Sequence, residues 1–356
     1  MQRKEFSFKG QKVFIGIDVH KKSWSVTTLL EVGSPKTHTQ GPDAKVLIDF
    51  LNKHFPDGDY HAVYEAGYSG FSTYHALQSH GIDCMIVNAA DVPSTQYENV
   101  MKTDPIDSVK LAKALRAGLL KGIYIPPIEN LDDRSILRFR KTIQAEIARY
   151  KVRIKHVLHS NGVRIPDHYD RATHLSADYL KWLRNDVTLL YSSRVSLDLL
   201  IDQAIISRNG LLAANREIKR LYKSPKYKER AEILCSVPGV GLICAMSLLT
   251  EIVDFDRFSN ERQFASYLGL IPLCHSSGEH VLTGEKTFRG NKKLGPMIVE
   301  ASWKAIIADE TLAIAYANYK KRGLKPQEAI MRIARKLSNI ILSVMKSGRK
   351  YTPHVA

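Results

Sequence analysis

Near its start the chain carries two short apolar runs, VFIGIDV (13 to 19) and SWSVTTLL (23 to 30), separated only by HKK. Short runs rich in β-branched and aromatic residues are strand signals, and so brief a connection implies an antiparallel hairpin. AKVLIDFLNKHF then spaces its apolar residues as a helix does, HAVYEA (61 to 66) reads as a strand, and STYHALQSHG as a helix closed by Gly81. DCMIVNA is a further strand, and KTDPIDSVKLAKAL (102 to 115) opens a helix at Asp104. Strands mixed with helices of about ten residues predict a layered α/β domain whose sheet is covered on at least one face. The opening hairpin excludes a purely parallel sheet.

After IPPIEN the pattern changes. Residues 130 to 161 and about 185 to 222 lack strand signals, with charged residues dense between the apolar ones. Ile136, Phe139, Ile143, Ile147, Tyr150, Ile154 and Leu158 (or Val157) step by three or four, as one apolar stripe of a long helix does, and the two stretches read together as a helical hairpin of coiled-coil type. From 228 the chain is helical again, interrupted by SVPGVG, by the polar loop LIPLCHSSGEH and by the basic turn TGEKTFRGNKKLG. The expected domains are 1–125 (α/β), 126–227 (helical coiled coil, for dimerisation and nucleic-acid binding) and 228–356 (all-α).

With 356 residues, 44% of them apolar and 25% charged, the composition is that of a soluble globular protein. Charge is more telling, because the net of +16 is concentrated. Residues 134 to 164 hold nine Lys/Arg against one acid, and residues 286 to 350 hold fifteen against four, more than the whole excess. A local surplus of this size suits a polyanion, since Lys/Arg that neutralise phosphates release counterions; a solvated face is the competing reading. Arg149 and Arg153 stand in the first window; Arg289, Lys292 and Lys293 stand in the second. No run of eighteen apolar residues and no apolar signal core occur, so a cytoplasmic protein without a membrane partner is expected. The cysteines, 84, 235, 244 and 274, lack C-x-x-C spacing and read as core thiols.

Three motifs carry candidate chemistry. Asp18 ends one apolar strand, Glu65 ends another, and Asp104 and Asp107 open a helix, so four acids at element ends could converge. Carboxylates held in that way are costly unless a cation compensates them, and oxygen ligands point to magnesium, with manganese as the substitute. Taken alone, Asp104-Pro105-Ile106-Asp107 reads rather as a helix cap, with Asp at the N-cap, Pro at N1 and an acid at N3. In SVPGVGLICAMSLL, a Pro-Gly-Val-Gly turn between apolar helices resembles a helix-hairpin-helix, where Gly239 and Gly241 would let a DNA phosphate approach backbone N–H groups. The last motif is Ser276-Ser277-Gly278 ahead of the basic turn, where a hydroxyl stands near Arg289, Lys292 and Lys293 in sequence and could attack a phosphate.

IGIDVHKK, YEAGYSG, KTDPIDSVKLA, SVPGVG, FASYLGLIPLCHSSGE and FRGNKKL, in that order, resemble the insertion-sequence DEDD transposases of the "one-ten" group, bridge-RNA-guided recombinases related to Piv-type DNA invertases. The resemblance implies an N-terminal RuvC-like (ribonuclease H-like) domain, a coiled-coil middle and a C-terminal transposase domain. Carried onto matching positions, it implies a magnesium-binding tetrad of Asp18, Glu65, Asp104 and Asp107, and Ser277 as a nucleophile that forms a phosphoserine link to DNA; Ser276 is its competitor. It further implies donor and target double-stranded DNA, a structured non-coding guide RNA, and homodimers that pair into tetramers. Gly67 and Gly295 stand where the family often has Thr and Arg. A metal-dependent RuvC-like nuclease without a serine nucleophile, and a nucleic-acid-binding scaffold, are the alternative readings.

Overall fold

The structure, a computed structural model, describes residues 7–94, 103–170, 175–277, 280–286 and 290–353, with 272–277 and 280–286 described as backbone. It divides into two compact units, 1–125 and 126–356.

The first unit is built on a mixed five-stranded sheet in the order β3-β2-β1-β4-β5. Its strands are β1 (Lys12–Val19), β2 (Trp24–Leu30), β3 (Lys36–Gln40), β4 (Asp59–Glu65) and β5 (Asp83–Val87). β1 and β2 form the expected antiparallel hairpin, β3 pairs antiparallel to β2, and β4 and β5 continue parallel to β1. β3 carries no apolar run: KTHTQ is a polar edge strand, and Thr37 meets Thr27 of β2 through hydroxyls 2.7 Å apart. An edge strand buries little, so it leaves almost no trace in the hydrophobic pattern.

Helices α1 (Ala44–His54) and α2 (Ser72–Gln78) cover one face of the sheet, where Leu47, Leu51 and Leu77 pack on Val13, Ile15 and Ile17. Asp43 caps α1 by accepting from the Lys45 N–H at 2.8 Å, and the left-handed Gly81 (φ +79°) follows α2 as expected. The opposite face is covered by α3 (Asp104–Arg116), whose Leu111 packs with Val63, Val87 and Val92.

In the second unit, α4 (Ile128–Ser160) and α7 (Tyr191–Tyr222) run antiparallel, and two short helices, α5 (Asp167–Asp170) and α6 (Ala177–Asn185), lie between them in sequence. Each end of the pair has its own apolar cluster. At the far end Ile154 and Leu158 of α4 meet Leu197 and Ile201 of α7, with Tyr179 and Leu183 of α6. At the near end Leu137 and Ile218 join the C-terminal core formed by α8 (Lys228–Cys235), α9 (Leu242–Ile252), α10 (Glu261–Tyr267), α11 (Leu294–Ala308), α12 (Glu310–Lys321) and α13 (Pro326–Ser347). A two-stranded hairpin, β6 (Pro272–Ser277) and β7 (His280–Lys286), precedes α11.

The apolar stripe expected on α4 holds in its far half and slips in its near half, where Leu137 is buried and Phe139 is 46% exposed. Polar residues take up the inward positions there: buried Arg134, alongside the exposed Arg138, pairs with the buried Glu251 of α9, and Asn130 donates to the Tyr227 hydroxyl at 3.2 Å. A helix face that buries ion pairs does not show apolar periodicity. Cys84 and Cys244 are buried free thiols, pushed up to about 12 by desolvation, and Cys235 is partly buried.

Candidate metal centre and nucleic-acid interface

Parallel pairing aligns β1 with β4 so that Ile17 faces Tyr64; the next residue of each strand is an acid, which puts Asp18 and Glu65 at the same end of adjacent strands. α3 is brought to that end by a close backbone contact. A Cβ on Gly16 of β1 would lie 2.1 Å from the Ser108 carbonyl oxygen and 2.5 Å from the Ala112 nitrogen, so only glycine lets the helix sit so near the strand. Buried hydroxyls fix its rotation: Ser108 Oγ lies 2.9 Å from Thr27 Oγ1 and 3.1 Å from Ser25 Oγ. The first turn of α3 therefore delivers Asp104 and Asp107 beside Asp18 and Glu65.

Two basic side chains join these acids. His20 Nε2 lies 3.2 Å from Asp18 Oδ2 and 3.5 Å from Asp104 Oδ1. Lys110 Nζ donates to Asp107 Oδ1 at 3.1 Å and lies 3.8 Å from Glu65 Oε1. Burial holds the Asp18 carboxyl above its ordinary value; His20 pulls it back, while the charges of Asp104 and Asp107 push it further up. Helix capping does not account for the Asp104-Pro105 pair, because α3 begins at Asp104 itself and its N-cap is Thr103, whose side chain makes no capping bond.

The donor set can hold a divalent cation. Asp18, His20 and Asp104 each offer one ligand atom, all within 4.8 Å of one another, and a cation there would offset the burial, and to a lesser degree the neighbouring acid charges, that raise the Asp18 carboxyl. His20 and Lys110 are absent from the sequence-based site. A signal for each was present: His20 follows Asp18 by two along an extended chain, and Lys110 follows Asp107 by three along a helix, spacings that keep side chains on one face.

In the second unit, Gly239, Gly241 and Lys293 line one groove of about 510 Å³ together with Arg138, Lys141 and Lys304. Gly239 is left-handed (φ +78°), and a Cβ there would lie 2.2 Å from the Ala301 carbonyl oxygen, so its missing side chain serves close packing against α11. Gly241 is the N-cap of α9, with open space where a Cβ would point. Beneath the groove Glu251 accepts two bonds from Arg138, at 2.8 and 2.9 Å, and one from Arg134 at 3.4 Å. Its carboxyl stays below the usual range because these bonds and charges outweigh its desolvation. Burial lowers the Lys293 ammonium, and Arg138 lowers it further against the pull of Glu251.

Not all the sequence candidates gather there. Lys292 is exposed next to the groove. Arg149 and Arg153 lie on the far half of α4, exposed, the first 3.6 Å from Glu146 and the second 5.7 Å from the Tyr150 ring centroid. Ser276 and Ser277 end β6, where Ser277 pairs with His280; their side chains, like Arg289, lie outside the described residues.

Comparison with known proteins gives two matches to family models. The DEDD transposase model of the IS110 type matches residues 15–161, which span all four acids, and the model of the transposase IS116/IS110/IS902 family matches residues 231–317. Relatives include the transposase for insertion sequence element IS1533 of Leptospira borgpetersenii, 25% identical over 71% of this chain and 73% of its own. The transposase for insertion sequence element IS1111A of Coxiella burnetii is 22% identical over 78% of this chain and 75% of its own. The pilin gene-inverting protein of Moraxella bovis is 28% identical over 37% of this chain and 42% of its own.

Proposed function

The chain belongs to the IS116/IS110/IS902 family of transposases, and from that premise we propose that it cuts and rejoins DNA strands between a donor and a target through a serine-linked intermediate, guided by a structured RNA. The observation that carries the reading is the arrival of Asp18, Glu65, Asp104 and Asp107, from two strands and a helix, at one end of the sheet.

In this proposal the first unit is a RuvC-like domain. A divalent ion, magnesium with manganese as substitute, supplies Lewis-acid stabilisation of a scissile phosphate there. Asp18, Glu65, Asp104 and Asp107 would hold it, while the sheet and α3 keep the carboxylates from moving apart. Ser277 is the nucleophile: its Oγ gives up its proton as it bonds to phosphorus, the bond to the 3′ oxygen breaks, and that oxygen takes up a proton as a free 3′-hydroxyl. The 5′ strand stays on the protein as a phosphoserine until the reverse step joins it to a new 3′ end.

DNA and guide RNA are bound by the basic surfaces. Gly241, Lys292 and Lys293, with Arg289 of the basic turn, serve one phosphate backbone at the helix-hairpin-helix formed by α8 and α9; Arg149 and Arg153 serve another along α4. Homodimers that pair into a tetramer would bring together two cutting sites.

The test is to incubate protein, guide RNA, donor and target with magnesium, then look for a protein–DNA adduct that survives denaturation. Ser277→Ala is expected to abolish the adduct and Ser276→Ala to retain it; the reverse result makes Ser276 the nucleophile. Cleavage without an adduct in any variant would instead assign a nuclease that uses activated water. Omitting the RNA is expected to remove site selection.

A further inference from the structure

The four acids are not left to repel one another. They are divided into two pairs, each with a basic side chain of the same unit set against it: His20 between Asp18 and Asp104, and Lys110 between Asp107 and Glu65. The two basic groups differ in setting. His20 is half exposed, whereas only 10% of the Lys110 side chain is open to solvent. Lys110 rises from α3 one turn beyond Asp107, on a helix whose approach to the sheet is set by Gly16 and whose rotation is set by the Ser108 hydroxyl contacts. Its ammonium is thereby delivered to within 3.1 Å of one oxygen of Asp107 and 3.8 Å of one of Glu65.

We propose that Lys110 is a tethered counter-ion: it holds Asp107 and Glu65 in the metal-free protein and competes with a divalent cation for them, so that loading this side of the site requires its ammonium to swing away. This rests on the metal-site reading given above. An ammonium at 3.1 and 3.8 Å from those two oxygens and a divalent ion bound to both at the usual distance of about 2 Å would be like charges in near contact. The two cannot share those oxygens without strong repulsion. Lysine suits such a role, being a compact charge on a four-carbon stem with many accessible rotamers, so it can hold a pair of carboxylates and also leave them. Lys110 is on this account a positioning residue. It keeps two ligands aimed at a common point before metal arrives, at the expense of affinity.

The experiment measures Mn²⁺ binding to the full chain by titration calorimetry, with melting temperatures in EDTA and in Mn²⁺, for the wild type, Lys110→Met, Lys110→Arg and Lys113→Met. Neighbouring charges at this range move a carboxylate's affinity for a cation by about one to three powers of ten. Lys110→Met is therefore expected to bind Mn²⁺ about tenfold more tightly, or better, and to melt lower than wild type in EDTA but not in Mn²⁺. Lys110→Arg, which keeps the charge, should bind no more tightly than wild type. Lys113→Met removes an equal charge from the exposed last turn of α3 and is expected to leave the Kd within about threefold. Unchanged or weaker binding by Lys110→Met overturns the proposal, and so does equal tightening by Lys113→Met, which would reduce the effect to overall charge. If no variant binds Mn²⁺ at all, the metal-site reading itself fails.

Discussion

Gly16→Ala tests whether the position of α3 is what assembles the acids. The added Cβ would lie 2.1 Å from the Ser108 carbonyl oxygen and 2.5 Å from the Ala112 nitrogen, where contacts under 3.0 Å essentially never occur. Both obstacles are backbone, so neither can rotate aside, and the helix must retreat by about 1 Å. Asp104 and Asp107 retreat with it while Asp18 and Glu65 stay on the sheet. The contacts of Ser108 with Ser25 and Thr27, at 3.1 and 2.9 Å, loosen at the same time. Overpacking of this kind costs about 1–3 kcal/mol, and a 1 Å misplacement at a reacting centre costs about a hundredfold in rate. The assay is a melting curve beside Mn²⁺ titration and the adduct reaction, with Gly41→Ala, whose new Cβ meets nothing within 4 Å, as the tolerated control. Expected are a lowered melting temperature, weaker Mn²⁺ binding and adduct formation down by about a hundredfold. A Gly16→Ala protein with unchanged melting and metal affinity would refute the claim that this contact sets the site.

Other outcomes follow from the same geometry. Glu251→Ala removes the buried carboxylate to which Arg134 and Arg138 both donate, and is expected to cost the second unit more than about 1 kcal/mol in chemical denaturation; a smaller loss would show that water replaces these bonds. Arg149→Ala and Arg153→Ala, both at exposed positions, are each expected to reduce the slope of log binding constant against log salt by about one on nucleic acid while leaving melting unchanged; an unaltered slope removes them from the interface. Because the Asp18 carboxyl is raised above its ordinary 3.8 in the folded state, its contribution to stability is present at low pH and is lost as pH rises through the folded value. In EDTA, Asp18→Asn is therefore expected to melt above wild type at pH 7, with the gap closing as pH falls toward 3.8; a gap that widens on acidification contradicts the sign.

How much of this was legible in the sequence depended on whether a residue's role was written in local spacing. The runs around Ile15 and Val63 mark strands because both of their faces are buried, and the antiparallel hairpin followed from the brevity of the HKK link between the first two runs. β3 escaped notice because an edge strand of Lys, Thr, His and Gln buries almost nothing. On α4 the apolar spacing was misleading near Phe139 because the helix turns Arg134 inward, toward an acid more than a hundred residues away in sequence. The acids at strand ends could be named from the sequence, but not the contact that gathers them: Gly16 looks like any glycine until α3 is known to cross it. Lys110 and His20 were hidden differently, since their spacing was visible and their significance depended on where the other acids ended up.

The paired helices α4 and α7 have a consequence of scale. α4 alone has 33 residues, a rod of about 50 Å, and expressed in the units of duplex DNA that is roughly fifteen base pairs. Because each end of the pair is held by its own apolar cluster, the rod behaves as a gauge whose two ends are set separately and whose length is a free variable. Adding seven residues to each helix, about two turns, would return every side chain to nearly its old direction while moving the far cluster by about 10 Å, the rise of some three base pairs. The reach of the pair can thus change by steps of whole turns, with neither cluster rebuilt.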